Sequence, residues 1–308
     1  MKYYEIADGL RVSAAAAGCM RVKAMSQREL DAFARGCLDA GINFFDHADI
    51  YGRGACETAF GNLLKADKAL RGKIVLQTKC GIVIDGDNHA FDFSYEYIMR
   101  SVEGSLKRLQ TNYIDILLLH RPDALMEPDE IARAFSELRA AGKVRHFGVS
   151  NQNPSQMRLI MSALDMPLVA NQMQFSAAFT PLVDAGLNVN MNVPQSVMRD
   201  GGTLEFCRLN NIAAQAWSPY QFGFFEGVFL GSEKYPALNA ELELLAKKYG
   251  VTPTSIATAF ILRHPAFKQV ITGSTKIERV LEAAKGADVD LTRYEWYSVY
   301  RAAGNKLP

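Results

Sequence analysis

Hydrophobic and polar positions follow two different periodicities along this chain. Short runs of aliphatic and β-branched residues are almost continuously apolar, and the longer stretches between them repeat apolar residues every three or four positions. The first pattern is typical of strands buried on both faces, and the second is typical of amphipathic helices. The pattern predicts strands within residues 12–20 and at residues 43–48, 74–80, 114–120, 146–151, 168–175, 212–217 and 270–274.

The stretches between the strands carry signals for the start and the end of a helix. Ser26 and Glu29 form a capping-box pattern, and Gly41 stands where a glycine commonly ends a helix. Pro128 and Gly142 bound another helix by the same reasoning. Further helices are predicted to begin near residues 94, 153, 238 and 252.

Eight successive strand–helix units predict an α/β fold with a parallel sheet. An open, doubly wound sheet usually carries a G-x-G-x-x-G sequence after an early strand, and the lack of one here favours a closed (β/α)8 TIM barrel. Residues 4–12 predict an N-terminal β-hairpin around Asp8 and Gly9, which we expect to cap the barrel floor. Because no linker or low-complexity segment interrupts the chain, we expect residues 1–308 to form a single domain.

The composition narrows the range of functions. The 308 residues are 49% hydrophobic and carry a formal net charge of +1, which gives no electrostatic reason for a nucleic-acid or membrane partner. No apolar run reaches the ~20 residues of a membrane helix. The N-terminal residues lack the pattern of a secretory signal, and the five scattered cysteines show no C-x-x-C spacing. We therefore expect reduced thiols and a cytoplasmic protein.

Polar residues stand at the ends of three neighbouring predicted strands. Asp46, Lys79 and His120 end the second, third and fourth strands, and Tyr51 lies in the loop after Asp46. Catalytic groups of a barrel lie at the carboxyl ends of its strands, and neighbouring strands are roughly 4.8 Å apart. The sequence therefore predicts a pocket that brings together a carboxylate, an ammonium, an imidazole and a phenol.

These four groups suit the delivery of a proton to an oxygen. Lys79 would favour the phenolate of Tyr51 and lower the pKa of that phenol, while Asp46 would hold Lys79 charged. His120 could bond to an incoming oxygen or relay a proton. Reduction of a carbonyl needs such a proton donor, and because no side chain supplies hydride, the pocket implies a nicotinamide cofactor.

The same residues allow two other interpretations. Asp46 and Lys79 could form an ion pair with a purely structural role. A metal site built from Asp46, His47 and Asp49, as in a metal-dependent barrel hydrolase, is disfavoured because strand alternation points Asp46 and His47 to opposite faces. Since catalytic zinc usually takes three protein ligands and no third ligand is evident, we expect no metal.

At these residues the sequence resembles the aldo-keto reductase family. Residues 41–61 are similar to the family's signature, in which Tyr51 follows Asp46 by the family's own spacing of five positions. Lys79 and His120 match the other two members of the family's catalytic tetrad. The resemblance covers nearly the whole chain. It implies a (β/α)8 barrel of the bacterial oxidoreductase branch that reduces aldehydes or ketones with NADPH.

The resemblance also implies where the cofactor would bind. Ser150, Asn151 and Gln172 match the residues that hold the nicotinamide carboxamide, and Trp217 stands where the family stacks an aromatic ring on the nicotinamide. Residues 273–282 are similar to the segment that binds the adenosine 2′-phosphate. The complete implied set is Met20, Arg21, Ser150, Asn151, Gln172, Trp217, Ser218, Pro219, Tyr220, Gly273, Ser274, Thr275, Lys276, Arg279 and Glu282.

Two departures from the family pattern bear on the choice between NADPH and NADH. Gly273 replaces a lysine that is common in the family, and Ala283 replaces an asparagine that often binds adenine. Ser274 and Arg279 still match phosphate contacts, and Lys276 offers a second positive charge. The resemblance therefore implies NADPH or NADP+ as the cofactor and leaves NADH open.

Loops set the substrate in this fold, so the sequence says less about it. We expect His47, Phe222, Phe224 and Phe225 to line the mouth of the site and to bind a small carbonyl substrate. Residues 178–202 form a long, turn-rich passage that is either a lid or a passive surface loop. Two questions stay open: whether the chain is instead a nicotinamide-binding sensor or auxiliary subunit with slow turnover, and whether it is a monomer or a weak homo-oligomer.

Overall fold

The strands of the computed structural model, which describes residues 1–86 and 88–308, include one at each position that the hydrophobic pattern predicts. In chain order the strands are β1 (Tyr3–Ala7), β2 (Leu10–Ser13), β3 (Ala15–Gly18), β4 (Phe44–Asp46), β5 (Val75–Cys80), β6 (Ile82–Asp85), β7 (Asn88–Phe91), β8 (Ile114–Leu119), β9 (Val144–Ser150), β10 (Leu168–Gln174), β11 (Ala213–Trp217), β12 (Gln221–Phe222), β13 (Gly227–Val228) and β14 (Phe267–Thr272).

Helices separate most of the strands. In chain order they are α1 (Gln27–Asp39), α2 (Ala55–Ala66), α3 (Lys68–Arg71), α4 (Tyr95–Leu109), α5 (Pro128–Ala140), α6 (Pro154–Met161), α7 (Pro181–Leu187), α8 (Thr203–Leu209), α9 (Pro236–Tyr249), α10 (Pro253–Arg263), α11 (Ile277–Gly286) and α12 (Arg293–Ala302). Among these described helices, none combines the length and the apolar character needed to cross a membrane.

Eight of the described strands close into a parallel barrel. Their order around it is β3, β4, β5, β8, β9, β10, β11 and β14, and β14 pairs with β3 to complete the ring. Because all eight strands run in the same direction, their carboxyl ends and the loops that follow them meet on one side of the barrel. The predicted (β/α)8 TIM barrel is confirmed.

The helix boundaries follow the predicted capping residues. The side chain of Ser26 accepts the backbone N–H of Glu29, and the Glu29 carboxylate accepts the backbone N–H of Ser26 in return. Asn153 and Gln156 form a second capping box at the start of α6. Gly41 ends α1 with a φ of 79°, a left-handed conformation that glycine adopts without steric cost. Local chemistry therefore accounts for where these helices start and stop.

The N-terminal hairpin closes the floor of the barrel. β1 and β2 pair in antiparallel fashion, and Ile6, Leu10 and Val12 pack in one apolar cluster with Phe44 and Ile116 of the barrel strands. The predicted hairpin is confirmed, and its apolar face covers the end of the barrel opposite the carboxyl ends.

Several elements lie outside the predicted pattern. β6 and β7 form a hairpin after β5, and α12 follows the last strand–helix unit. The passage 178–202 contains α7, and the phenol of Tyr300 in α12 donates to Asp184 of that helix at 2.8 Å. These elements are short or depend on contacts with distant segments, so the periodicity of the chain does not reveal them.

Gly61 allows α2 to lie directly against the end of α4, and its replacement should destabilise the protein. A Cβ atom on Gly61 would lie 2.0 Å from the backbone oxygen of Arg108 and 2.8 Å from the backbone carbon of Leu109. We expect Gly61→Ala to lower the free energy of unfolding by about 1–3 kcal/mol, because the two helices must move apart. Urea denaturation measures this change.

The matched control for this variant is Gly186→Ala in α7. A Cβ atom there meets nothing within 4 Å, so the free energy of unfolding should stay the same or rise slightly. Equal stability of the two variants would contradict the close approach of α2 and α4.

Candidate active site

A cavity of about 1140 Å³ opens at the carboxyl ends of the barrel strands. Three of the predicted catalytic residues, Asp46, Tyr51 and His120, line this cavity, and Lys79 lies beneath them with no exposed surface. All the residues predicted to bind the cofactor also line it: Met20, Arg21, Ser150, Asn151, Gln172, Trp217, Ser218, Pro219, Tyr220, Gly273, Ser274, Thr275, Lys276, Arg279 and Glu282.

Strand register brings the predicted catalytic residues together. Asp46 ends β4 opposite Gln77 of β5, and Lys79 follows two positions later on β5. The hydrogen-bond ladder continues past the strand, since the backbone N–H of Asp49 donates to the carbonyl of Lys79 at 3.0 Å. This bond anchors the loop that carries Tyr51 against the neighbouring strand.

The ammonium group of Lys79 uses all three of its donors inside the protein. Its Nζ lies 2.7 Å from Oδ2 of Asp46, 2.8 Å from the backbone oxygen of His47 and 3.2 Å from the phenol oxygen of Tyr51. A buried ammonium is costly unless its donors are met, and here a carboxylate, a carbonyl and a phenol meet them. Lys79 thereby positions the hydroxyl of Tyr51 at the base of the cavity.

Burial affects the pKa values of Tyr51 and Lys79 in a way that the sequence does not show. Loss of water around the phenol raises the pKa of Tyr51, and this effect outweighs the nearby charge of Lys79, which acts to lower it. The expectation of a lowered pKa for Tyr51 is therefore wrong in this structure. Burial also acts to lower the pKa of Lys79, but Asp46 and Tyr51 more than offset it and raise that pKa. At neutral pH the site holds a protonated phenol beside a charged ammonium.

His120 faces Tyr51 as a neutral imidazole. The two ring centres are 5.9 Å apart with an interplanar angle of 80°. Burial, with smaller contributions from the positive charges of Lys79 and Arg121, holds the pKa of His120 well below its ordinary value. Its Nδ1 atom is buried and has no hydrogen-bond partner among the described residues. Because Nδ1 is shielded, the other ring nitrogen, Nε2, is the atom of His120 that can bond to an oxygen entering the cavity.

A network of glutamine amides holds Asp46 from below. Nε2 of Gln77 donates to Oδ1 of Asp46 at 2.6 Å, and Nε2 of Gln172 donates to the same oxygen at 3.1 Å. Both amides also donate to Gln215, which donates in turn to Gln269 at 2.7 Å. Gln269 donates to the backbone at the end of β2 at 3.0 Å. The carboxylate is thus bonded directly by side chains of β5 and β10, and side chains of β11 and β14 hold those amides in turn.

Hydrogen bonds also fix the residues at the far side of the tetrad. Nε1 of Trp217 donates to Oδ1 of Asn151 at 3.1 Å, and Nδ2 of Asn151 donates to Ser150 at 2.8 Å. Ser150 donates to the backbone oxygen of Gln172 at 2.9 Å. Asn151 and Ser218 adopt positive φ angles of 56° and 49°, a left-handed conformation that is uncommon for non-glycine residues. This part of the cavity therefore presents an aromatic ring and an amide in set positions.

Positive charge gathers at the opposite end of the cavity. Arg21 donates to the backbone oxygen of Gly273 at 2.7 Å, and α11 begins directly after Lys276. Arg279 lies in the first turn of that helix. Among the described residues, no carboxylate forms an ion pair with Arg21, Lys276 or Arg279. Three unpaired cations at a helix N-terminus suit a bound phosphate group, so the donor set fits the 2′-phosphate of a dinucleotide.

Comparison with known proteins identifies the family. The model of the aldo/keto reductase family matches residues 16–303. The chain belongs to the aldo/keto reductase family. Family membership identifies it as an oxidoreductase.

Individual relatives agree with this assignment over their whole length. The chain is 36% identical to an uncharacterised oxidoreductase, YcsN, of Bacillus subtilis (strain 168), covering 100% of both chains. It is 34% identical to a 6-dehydroglucose reductase of Agrobacterium fabrum (strain C58), covering 99% of both. A thermostable aldo-keto reductase crystallised with the inhibitor epalrestat has the same fold, with a TM-score of 0.77 and 24% identity over 98% of this chain and 100% of that one.

In this aldo/keto reductase, His47 does not reach the cavity that it was expected to line. It follows Asp46 on the chain and therefore points to the opposite side of the sheet, where its ring packs 4.7 Å from that of Phe60 in α2. Both of its ring nitrogens are buried without a hydrogen-bond partner among the described residues. His47 is a packing residue of the outer layer.

The aromatic residues after β11 divide between the cavity and the core. Phe224 and Phe225 line the cavity as expected. Phe222 turns away from it and packs 5.1 Å from the ring of Tyr235, with only 9% of its surface exposed. Alternation along β12 explains the difference, since the preceding residue, Gln221, faces the cavity instead.

The structure also bears on residues 178–202 and on metal-ligating side chains. No residue of the passage 178–202 lines the cavity as the described residues form it, so the structure lends no support to a lid there. Within the same residues, no group of three or more His, Cys, Asp or Glu side chains is arranged to hold a metal ion.

Several residues of the site were not predicted from the sequence. Gln77 and Gln215 stand inside apolar strand runs, where a single polar residue gives no signal of its own. Ile50, in the loop between Asp46 and Tyr51, and Ile82, the first residue of β6, supply apolar walls to the cavity, and an isoleucine gives no signal of such a role in the sequence. Arg121 also lines the cavity, and its position directly after His120 at a strand end was a signal that could have revealed it.

His47 should make the stability of the protein depend on pH. Burial, together with the charge of Lys79, lowers the pKa of His47 to about 3 in the folded protein from 6.5. As the pH falls below 6.5, the unfolded chain binds a proton at His47 that the folded protein does not bind. The free energy of unfolding should therefore fall by up to about 1.4 kcal/mol per pH unit from this group alone.

His47→Gln should reduce that dependence, and urea denaturation between pH 7 and pH 5 measures it. His89→Gln, at an exposed histidine, is the matched control. The same slope in all three proteins would show that His47 is not held neutral by burial.

Proposed function

We propose that this aldo/keto reductase reduces aldehyde or ketone carbonyls to alcohols, with NADPH as the cofactor. The observation that carries the proposal is the ammonium of Lys79, which bonds at once to the carboxylate of Asp46 and, at 3.2 Å, to the phenol of Tyr51. This group of side chains opens onto a cavity large enough for both a dinucleotide and a small substrate. The name of the Agrobacterium relative, a 6-dehydroglucose reductase, supports a reductive reaction.

Tyr51 is the proton donor in this proposal. Its raised pKa keeps the phenol protonated at neutral pH. When bound, the reduced nicotinamide supplies the hydride that adds to the carbonyl carbon. As negative charge develops on the carbonyl oxygen, the O–H group of Tyr51 donates its proton to that oxygen and an alcohol results. Lys79 then stabilises the phenolate that remains, because its ammonium already lies at hydrogen-bonding distance.

His120 orients the substrate. A neutral imidazole has one N–H donor, and a bond from it to the carbonyl oxygen would hold that oxygen next to Tyr51. Because the pKa of His120 is low, the ring carries no extra proton at neutral pH and cannot act as the acid. The phenol of Tyr51 therefore protonates the carbonyl oxygen. Burial thus makes the phenol of Tyr51 the proton donor and the imidazole of His120 a neutral hydrogen-bonding group.

The remaining residues of the cavity would bind the cofactor along its length. Trp217 presents a flat ring for the nicotinamide to stack on, and Ser150 and Asn151 present polar atoms for its carboxamide. Lys276 and Arg279 would meet the 2′-phosphate at the start of α11. That phosphate distinguishes NADPH from NADH, so the two cations favour NADPH.

We also propose that residues 1–308 act as one domain in the cytoplasm, as a monomer or a weak homo-oligomer. Tight binding of NADPH without turnover of any carbonyl compound would instead favour a nicotinamide-binding sensor or auxiliary subunit.

Tyr51→Phe tests the proton donor. The variant keeps the ring but removes the hydroxyl, so kcat for the reduction of 4-nitrobenzaldehyde should fall by about 10²- to 10⁴-fold. Oxidation of NADPH followed by absorbance gives the rate. The matched control is Tyr3→Phe, which removes a phenol bonded to Gly41 at 2.7 Å near the floor of the barrel and should leave the rate unchanged. Full activity of Tyr51→Phe would overturn the assignment.

Arg279→Gln tests the choice of cofactor. Loss of one charged contact should weaken the binding of NADPH by about tenfold and leave the binding of NADH nearly unchanged. Quenching of tryptophan fluorescence on titration gives both dissociation constants. Lys285→Gln, an exposed position in the last turn of the same helix, is the control and should change neither constant. An equal loss of affinity for both cofactors would show that Arg279 does not bind the 2′-phosphate.

A further inference from the structure

Arg121 lies beside the candidate catalytic groups but has no part in the reaction as proposed. It directly follows His120 after β8, is half-buried, and lines the cavity together with Tyr51. Its guanidinium carbon lies 5.5 Å from the ring centre of Trp217 and 5.5 Å from that of Phe224. A cation thus lies near two aromatic rings in the cavity that Tyr51 and His120 also line.

Of the other shielded arginines, Arg263 donates to the backbone oxygen of Leu291, and two are paired with carboxylates. Arg71 lies 2.7 Å from a carboxylate oxygen of Asp115, and Arg108 lies 2.7 Å from one of Glu57. In residues 1–86 and 88–308, by contrast, no carboxylate forms an ion pair with Arg121. A guanidinium group carries five N–H donors, and removing them from water without an acceptor is costly. An anion that enters the cavity would offset this cost.

The position of Arg121 in the barrel separates it from the phosphate end of the cavity. Lys276 and Arg279 follow β14, and Arg121 follows β8, which is four strands away from β14 in a closed ring of eight. The two sets of positive charge therefore lie on opposite sides of the barrel. Since Arg121 lies next to Tyr51 and His120, an anion bound to it would belong to the substrate and not to the cofactor.

The positive charge of Arg121 on the substrate side of the cavity indicates that the bound anion is a carboxylate. All three donors of Lys79 are already used within the protein, so Arg121 is the cation with free donors on the substrate side of the cavity as described. A single guanidinium matches one negative charge and the planar geometry of a carboxylate, which it can bind with two parallel hydrogen bonds. Ile50 and Ile82 line the same cavity and would contact an apolar chain between carboxylate and carbonyl.

We propose that Arg121 binds a carboxylate of the substrate, so that the enzyme prefers oxo acids to neutral aldehydes and ketones. An oxo acid of this kind carries a carboxylate a few bonds from the carbonyl carbon. Its reduction consumes one NADPH and one proton and yields a hydroxy acid and NADP+, while the carboxylate is unchanged. The preference for oxo acids rests on the proposed function, whereas the anion site rests only on the position of Arg121.

A pair of substrates that differ only in charge tests this inference. Succinic semialdehyde carries a carboxylate, and its methyl ester, methyl 4-oxobutanoate, is neutral. Wild-type enzyme with NADPH should show a higher kcat/KM for the acid, and Arg121→Gln should lower kcat/KM for the acid by about 10- to 100-fold while leaving the ester nearly unaffected. Arg121→Lys, which keeps the charge, should recover part of the loss. Equal effects of Arg121→Gln on acid and ester would overturn the inference.

A binding measurement separates this inference from the proposed function. Butanoate and butanamide contain no aldehyde or ketone group, so the proposed reaction cannot reduce them. Calorimetry on the full chain therefore measures their affinities without turnover. We expect butanoate to bind more tightly than butanamide, and Arg121→Gln to remove the difference. Turnover of the neutral ester without any preference for anions would overturn the role of Arg121 alone. Arg121-dependent binding of butanoate without turnover of either aldehyde would support the anion site and overturn the proposed reductase activity.

Discussion

The ammonium of Lys79 is buried completely, and the arrangement of the site follows from the cost of keeping a charge there. Its three donors are met by the carboxylate of Asp46, a backbone carbonyl and the phenol of Tyr51. An unpaired charge at this depth would cost several kcal/mol, so strands β4 and β5 and the loop after β4 are held in one geometry. The same bonds that stabilise the charge place a phenol hydroxyl at the base of the cavity.

Asp46 is itself part of a longer network. The amides of Gln77 and Gln172 fix its carboxylate, and Gln215 and Gln269 extend the chain of hydrogen bonds to the backbone of β2 at the floor of the barrel. Buried polar groups are stabilising only when their hydrogen-bonding groups are satisfied, which ties the strands on opposite sides of the barrel to one another. The orientation of the reactive pair therefore depends on residues that lie well below the cavity.

Positively charged side chains lie on two opposite sides of the cavity, where the cofactor and the substrate would bind. Arg21, Lys276 and Arg279 gather near the start of α11, and Arg121 lies on the opposite side of the ring of strands. The whole-chain net charge of +1 conceals this arrangement, because local groups and a helix terminus decide what an anion meets. A cofactor would bind to the cations near α11, and a substrate anion would bind to Arg121.

The sequence by itself determined the alternation of strands and helices, the helix caps at Ser26 and Asn153, and the convergence of Asp46 and Lys79, because these depend on local periodicity and on which residues end a strand. Only the tertiary structure decided which side chains meet across the barrel. It joined the interior glutamines into a network, raised the pKa of Tyr51 by burial, and turned His47 and Phe222 away from the cavity. It also left Arg121 without a carboxylate among the described residues. Each of these outcomes depends on contacts between segments far apart in the chain, which local patterns do not encode.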